Sequence, residues 1–164
     1  MKHASPEKYL LKNRALNDDP HYSILIEIMI PFYDTDAMGI VWHGNYYRYL
    51  EVAREALMKQ IGYSYRQMKQ SGYIWPIVDA RLKYIKSLSF DTLIQVHAQI
   101  VEYENRLRIE YQIFDVLSKK RTTTGYTIQV AVKETTSEMC FVSPDILLQK
   151  FENLKVNDDG GGDE

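Results

Sequence analysis

The chain has 164 residues, of which 45% are hydrophobic and 26% are charged. This length corresponds to one domain, and the composition is that of a soluble folded protein, which excludes an intrinsically disordered chain. No apolar run approaches the roughly 18 residues of a membrane span. The single cysteine, Cys140, excludes an internal disulfide framework and a cysteine-based zinc site. The net charge of −2 gives no basic surface of the kind that nucleic acid requires.

Composition sets both ends of the chain apart from the middle. Residues 1–21 are predicted to be an N-terminal extension, because the segment is polar and lacks the apolar region of a secretory signal. Residues 155–164 are predicted to be a disordered acidic tail, and residues 22–154 the folded domain. The last eight residues contain four acids, and without them 20 basic residues face 18 acidic ones. We expect a cytoplasmic protein whose body weakly favours a small anionic ligand.

The first elements are a strand and a long helix. Apolar side chains at every second position of residues 22–32 predict the strand. The helix is predicted to begin at Asn45, whose side chain can cap a free N–H group, and to end at Gly62. Its apolar stripe recurs at spacings of three and four and comprises Tyr46, Tyr49, Leu50, Ala53, Ala56, Leu57 and Ile61. A second, short helix is predicted over residues 65–70.

From residue 77 onward the pattern indicates strands. Alternation of apolar and polar side chains predicts strands over 77–85, 92–101, 106–113 and 125–132. A slip of phase at Phe114 and Val116 predicts a β-bulge. The links at 104–105 and 118–120 are short enough for hairpins, so the strands they join are expected to be antiparallel neighbours.

The order of elements predicts an α+β fold, with the long helix on one face of a five-stranded antiparallel sheet. Five long strands present more surface than one helix can cover. We therefore expect a homodimer or homotetramer, in which sheets pair with those of another copy.

The segment from Tyr33 to Tyr46 contains the densest set of reactive side chains. It includes Asp34, Asp36 and His43 and leads directly into the start of the helix. Backbone N–H groups and the helix dipole at such a start stabilise a negative oxygen. A carboxylate just upstream supplies a base or a nucleophile. These are the two requirements for adding water to a carbonyl group.

Structural interpretations of the same residues remain open. Asp34 and Asp36 are of the type that closes turns before helices, and His43 alone is more often a structural hydrogen-bonding residue. Two carboxylates and one imidazole on a short loop indicate a metal site only weakly, so we expect no metal. The complete loop favours the catalytic interpretation. His97 lies on a polar strand face and is expected to be solvated.

The run Asp34–Tyr46, followed by Tyr49–Glu55, resembles the 4-hydroxybenzoyl-CoA thioesterase family. The shared pattern is Asp-x-Asp-x-x-Gly-Ile/Val-Val-aromatic-His-x-x-Tyr, and the acyl-CoA thioesterase branch that includes the Tol-Pal-associated proteins is the most similar. The resemblance covers about residues 22–150 and implies a hotdog fold, in which an antiparallel sheet wraps a long helix.

The resemblance also implies roles for individual residues. Asp36 matches the catalytic carboxylate, which acts on the thioester as general base or nucleophile. His43 matches the residue whose backbone N–H polarises the thioester carbonyl, and its side chain is expected near Asp36. Gly44, Asn45 and Tyr46 form the helix start and are expected to bind substrate.

Two further acids are secondary candidates. Asp34 matches an acid that is common but not universal in this branch, and Glu51 occupies a helix position where other hotdog thioesterases carry their catalytic acid. The implied activity is hydrolysis of an acyl-CoA thioester to free acid and CoA, without a cofactor, since CoA is part of the substrate.

Three alternatives remain open: an acyl-carrier-protein thioesterase, a hydroxyacyl-thioester dehydratase and a non-catalytic acyl-binding domain. Proline does not occur between Asp34 and Lys59, and both acids precede His43. These features differ from the dehydratase pattern and count against that class.

Overall fold

The computed structural model describes residues 22–159, with side chains up to residue 154. The predicted extension over 1–21 and residues 160–164 of the predicted tail lie outside the described residues. The domain boundaries therefore stay predictions. Within the described part of the chain, every helix is too short or too polar to cross a membrane.

The described residues form seven strands and three α-helices. The strands are β1 (Ser23–Met29), β2 (Tyr73–Ile74), β3 (Ile77–Tyr84), β4 (Leu93–Glu102), β5 (Leu107–Asp115), β6 (Arg121–Gln129) and β7 (Val132–Lys133). The helices are α1 (Tyr46–Gln60), α2 (Tyr65–Gln70) and α3 (Asp145–Asp159).

Five strands form one antiparallel sheet in the order β1-β4-β5-β6-β3, and β2 pairs with β7 separately. The predicted α+β class is confirmed. β4, β5 and β6 are antiparallel neighbours as their short links predict, and a register shift between Ile113 and Phe114 confirms the bulge near Phe114. β3 crosses over to pair with β6, which places it at an edge of the sheet.

The core lies between the sheet and α1. On the inner face, Ile26 of β1 pairs with Val96 of β4, which pairs in turn with Ile113 of β5. Ala53 and Leu57 of α1 are completely buried against this face. Burying one large aliphatic side chain stabilises the fold by about 1.5–3 kcal/mol, so the helix is held mainly by this apolar layer.

The predicted end of α1 is confirmed in detail. Gly62 has a φ of +79°, a left-handed conformation that costs glycine nothing. The Gly62 N–H donates to the oxygen of Lys59 at 3.1 Å, and the Tyr63 N–H donates to that of Met58 at 2.9 Å. This pair of hydrogen bonds is a Schellman motif. The short helix α2 is also confirmed, and Ser64 caps it.

The strand predicted over 125–132 is displaced. β6 begins at Arg121, four residues earlier, and ends at Gln129. The threonines at its start, including the buried Thr122 and Thr123, favour strands through their branched Cβ but do not alternate in hydropathy. Val132, the last residue of the predicted strand, belongs to β7.

Helix α3 was not predicted, and reading everything beyond residue 77 as strand was wrong here. Leu147 and Phe151, four residues apart, are completely buried, and the Phe151 ring stacks on Tyr103 with centroids 3.9 Å apart. The acidic sequence that follows obscures this short apolar stripe. The helical backbone continues to Asp159, inside the segment predicted to be a tail.

Candidate active site

Asp36 lies in a tight turn in the loop between β1 and α1. Its Oδ1 accepts a hydrogen bond from the Met38 N–H at 2.8 Å, and its N–H donates to the oxygen of Ile40 at 2.8 Å. Gly39 closes the turn with a φ of +78°. The carboxylate therefore does form an Asx turn, as the structural interpretation of the sequence allows. Its second oxygen has no hydrogen-bond partner among the described residues.

Asp34 occupies a different environment, although it is only two residues away. Its side chain is buried, with the residue 2% exposed. The carboxylate accepts from Tyr49 Oη at 2.6 Å and from an Arg48 guanidinium nitrogen at 3.0 Å. Burial, first, and the bond to Asp34, second, raise the pKa of Tyr49 above its usual range. Asp34 thus ties the loop to α1 and is not open to a ligand.

The side chain of Asn45 does not cap α1, which corrects the prediction. Asn45 is the last residue of a 3₁₀ turn that joins α1, and its side chain makes no capping hydrogen bond. Its amide nitrogen instead donates to the backbone oxygen of Asp34 at 2.8 Å, and its Oδ1 accepts from Arg48 at 2.6 Å. The asparagine therefore holds the loop against the helix rather than satisfying the first turn.

The 3₁₀ turn His43–Asn45 leaves backbone donors free at the helix start. The Asn45 N–H donates to the oxygen of Trp42 at 2.9 Å. The N–H groups of His43 and Gly44 donate to no acceptor within residues 22–159, as expected for the first residues of a turn. Gly44 lies directly under the Trp42 indole, where an added Cβ would come within 2.3 Å of the ring.

A cavity of about 250 Å³ brings several of the predicted residues together. It is lined by Asp36, Met38, Ile40, Val41, His43, Tyr46, Tyr84, Ile85, Lys86 and Ser87. Asp36, His43 and Tyr46 thus share one cavity. Gly44 and Asn45 lie beside it in the chain but do not line it.

Tyr84 is a cavity residue that the sequence analysis missed, and Lys86 lines the same cavity. Tyr84 ends β3, and its hydroxyl donates to the backbone oxygen of His43 at 2.8 Å. Its ring meets the buried Tyr46 ring edge-on, with centroids 4.8 Å apart. Burial is the main cause that raises the pKa of Tyr46. Only the crossover of β3 to the edge of the sheet brings these residues to the loop, and no local motif signals it.

Glu51 is engaged by its own neighbours. One carboxylate oxygen accepts from Tyr65 Oη at 2.6 Å, and the other pairs with the buried Arg54. Arg54 also donates to Tyr65 Oη at 3.0 Å. Glu51 does not line the cavity that contains Asp36. This environment favours a structural role for the helix acid.

The expectation that His97 is solvated is wrong. The residue is only 7% exposed, and burial lowers the pKa of its imidazole. A polar strand face was taken as a solvent-exposed one, but His97 is flanked there by Leu25 of β1 and Gln112 of β5. His97 does not line the candidate site.

The cationic side chains of β3 and of the segment after it lie in two different places. Lys86 lines the cavity with Asp36, whereas Arg81 and Lys83 line a separate groove of about 350 Å³ on the opposite face of the sheet. Among the described residues, no group of three or more His, Cys, Asp or Glu side chains is arranged to hold a metal ion.

Residues 30–150 match the family described as the Thioesterase-like superfamily. Over 119 residues the chain is 33% identical to YneP of Bacillus subtilis, a protein named as an acyl-CoA thioesterase, covering 70% of this chain and 76% of that one. It is 28% identical over 114 residues to the 4-hydroxybenzoyl-CoA thioesterase of a Pseudomonas strain, covering 68% and 77%.

A solved structure is similar as well. The DHNA-CoA thioesterase from Staphylococcus aureus superposes with a TM-score of 0.71 at 28% identity, covering 87% of this chain and 97% of that one. The hotdog fold implied by the sequence is thereby confirmed, while the Tol-Pal-associated branch stays a prediction. The family match begins just after β1, ends inside α3 and includes the whole loop and cavity. The chain belongs to the Thioesterase-like superfamily of hotdog proteins.

Proposed function

We propose that the chain hydrolyses an acyl-CoA thioester to a free acid and CoA, with Asp36 as general base or nucleophile. The observation that carries the proposal is that Asp36 and His43 line one cavity, next to unpaired backbone N–H groups at the start of α1. Relatives named as acyl-CoA and aroyl-CoA thioesterases align with 70% and 68% of this chain.

The free carboxylate oxygen of Asp36 suits either form of the reaction. As a base it takes a proton from water, which adds to the thioester carbonyl. As a nucleophile it attacks the same carbon, forms an anhydride and is released when water adds. In both cases the thiolate of CoA leaves readily, because thiols have a pKa near 8.5.

Backbone groups supply the other half of the proposed chemistry. Negative charge grows on the carbonyl oxygen as the nucleophile adds, and N–H groups that are already in place stabilise it without reorganisation. The N–H groups of His43 and Gly44 are unpaired and stand where the positive end of the α1 dipole lies. In the proposal the His43 N–H holds this oxygen, and Gly44, Asn45 and Tyr46 shape the substrate site.

The proposed reaction requires no cofactor, because CoA enters as part of the substrate.

We further propose a homodimer or homotetramer in the cytoplasm. The support is β3, an edge strand in which every residue except Leu82 is exposed. Apolar side chains at both ends of the strand are 43–56% exposed and would be covered by a second copy: Ile77, Val78, Tyr84 and the following Ile85.

Thioester assays of the purified full chain test the proposal and separate it from the alternatives. Aliphatic and aromatic acyl-CoA esters are supplied in parallel with acyl-carrier-protein and hydroxyacyl-CoA esters, and free thiol is measured. We expect thiol release from acyl-CoA. Release only from the carrier-protein ester, loss of water without thiol release, or binding without turnover would each favour one alternative and contradict the proposal.

A further inference from the structure

One hydrogen bond joins the edge of the sheet to the start of α1. The hydroxyl of Tyr84, the last residue of β3, donates a hydrogen bond to the backbone oxygen of His43 at 2.8 Å. His43 is the first residue of the 3₁₀ turn that leads into the helix. The bond spans 41 positions of sequence and lies at the rim of the cavity that contains Asp36.

The peptide that accepts this bond also carries one of the free donors. The oxygen of His43 and the N–H of Gly44 belong to the same planar group, and no cis peptide occurs in residues 22–159. In a trans peptide the C=O and N–H point in opposite directions. Fixing the oxygen therefore fixes the direction of the Gly44 N–H, and a bond accepted by the carbonyl polarises the peptide and strengthens that donor.

Neighbouring contacts restrain the same short stretch. The carbonyl of the preceding peptide, on Trp42, accepts from the Asn45 N–H at 2.9 Å, which orients the His43 N–H in the same manner. The indole of Trp42 packs on the Cα of Gly44. The two peptides that carry the His43 and Gly44 N–H groups thus have their carbonyl oxygens held, one by the backbone and one by Tyr84.

The surroundings keep the Tyr84 hydroxyl in place as a donor. Its ring meets Tyr46 edge-on at 4.8 Å and His43 edge-on at 6.5 Å. Desolvation by burial is the main cause that raises the pKa of Tyr84, and Coulombic repulsion from Tyr47 adds to it. The phenol therefore keeps its proton at neutral pH.

We propose that Tyr84 is a positioning residue for thioester hydrolysis, whose hydroxyl orients the His43–Gly44 peptide so that the Gly44 N–H joins the His43 N–H in facing the carbonyl oxygen of the substrate. The inference rests on the proposed function and adds a residue to it that the loop motif does not contain. Tyr84 acts through the peptide and takes no part in bond making.

The variant Tyr84→Phe removes the hydroxyl and keeps the ring contacts. The matched control is Tyr126→Phe, since the Tyr126 hydroxyl donates to Asp79 of β3 at 3.3 Å and its loss also frees a contact of the edge strand. A single hydrogen bond is worth a factor of about 2 to 10 in rate. We expect Tyr84→Phe to lower kcat by about that factor with KM and Tm unchanged, and Tyr126→Phe to retain the wild-type kcat.

The amide signal of Gly44 in a ¹H–¹⁵N spectrum gives a readout that does not depend on turnover. Loss of the bond to the His43 carbonyl should shift this signal in Tyr84→Phe and leave it in place in Tyr126→Phe. An unmoved Gly44 signal, or a moved signal with unchanged kcat, would overturn the positioning role. If the wild-type chain released no thiol from any acyl-CoA, the proposed function would fail, and the Gly44 signal would still decide whether Tyr84 orients the peptide.

Discussion

Asp34 and Asp36 have the same side chain and lie in the same loop, but their different surroundings indicate different roles. Asp34 is buried and both of its oxygens accept hydrogen bonds from α1. Asp36 uses one oxygen for its own turn and keeps the other free beside the cavity. A reacting carboxylate needs an oxygen that can reach the substrate, and of the two only Asp36 has one.

The substitution Asp34→Asn should reduce stability more than it reduces chemistry. Asparagine keeps the shape but offers one acceptor fewer, so either Tyr49 or Arg48 faces an N–H group instead of an oxygen. Leaving a buried polar group unpaired costs about 1–3 kcal/mol, which lowers Tm by roughly 2–10 °C in a chain of this size. Thermal unfolding and kcat, measured on the same sample, check this.

Tyr49→Phe is the matched control for this prediction, because it removes a bond to the same carboxylate from the other side. Both variants should lose stability while the folded fraction keeps most of its kcat. An unchanged Tm together with abolished turnover in Asp34→Asn would show that Asp34 is the reacting acid instead.

For individual residues, the sequence predicts those site residues that belong to a local motif. Asp36, His43 and Tyr46 lie within eleven positions of one another, and the structure finds all three around one cavity. Tyr84 reaches that cavity only through strand pairing, so no spacing in the chain could reveal it. The predicted capping role of Asn45 is wrong because its side-chain amide bonds to Asp34 and Arg48 and not to the first turn of α1.

Among the elements, β3 gives the strongest indication that copies of the chain associate. Its outer edge has no strand partner within the described residues, and its apolar side chains other than Leu82 are exposed. Natural proteins cover or charge such edges, because unpaired strands associate. The expected homodimer or homotetramer would bury this edge.

Light scattering at micromolar concentration tests the assembly, with Val78→Lys as the probe. Val78 is 56% exposed on β3, and a lysine there should shift the wild-type oligomer toward smaller species. Val142→Lys, at a site 59% exposed outside the sheet, is the control and should leave the mass unchanged. A wild-type monomer would contradict the expected oligomer.

The elements also show where periodicity succeeds as a predictor. α1 and α2 were predicted because the apolar spacing and the left-handed Gly62 are local signals. The start of β6 was missed because buried threonines carry no hydropathy signal. α3 was missed because its apolar stripe is short and the acidic sequence that follows obscures it.

For the whole molecule, the crossover of β3 is the decisive feature. It brings the end of an edge strand to the loop before α1, so that the turn around Asp36, the helix start and Tyr84 surround one cavity. The family match covers this entire arrangement. The central claim is that the charge on Asp36 drives thioester hydrolysis at this place.

The most direct test is the kcat of Asp36→Asn with the best acyl-CoA substrate, measured beside its Tm. Asparagine can still accept the Met38 N–H, so the turn and the fold should persist while basicity is lost. The account predicts a fall in kcat of about 10²–10⁴ with an unchanged Tm. A near-normal kcat in Asp36→Asn, especially with turnover abolished in Glu51→Gln, would contradict it and make the helix acid the catalyst.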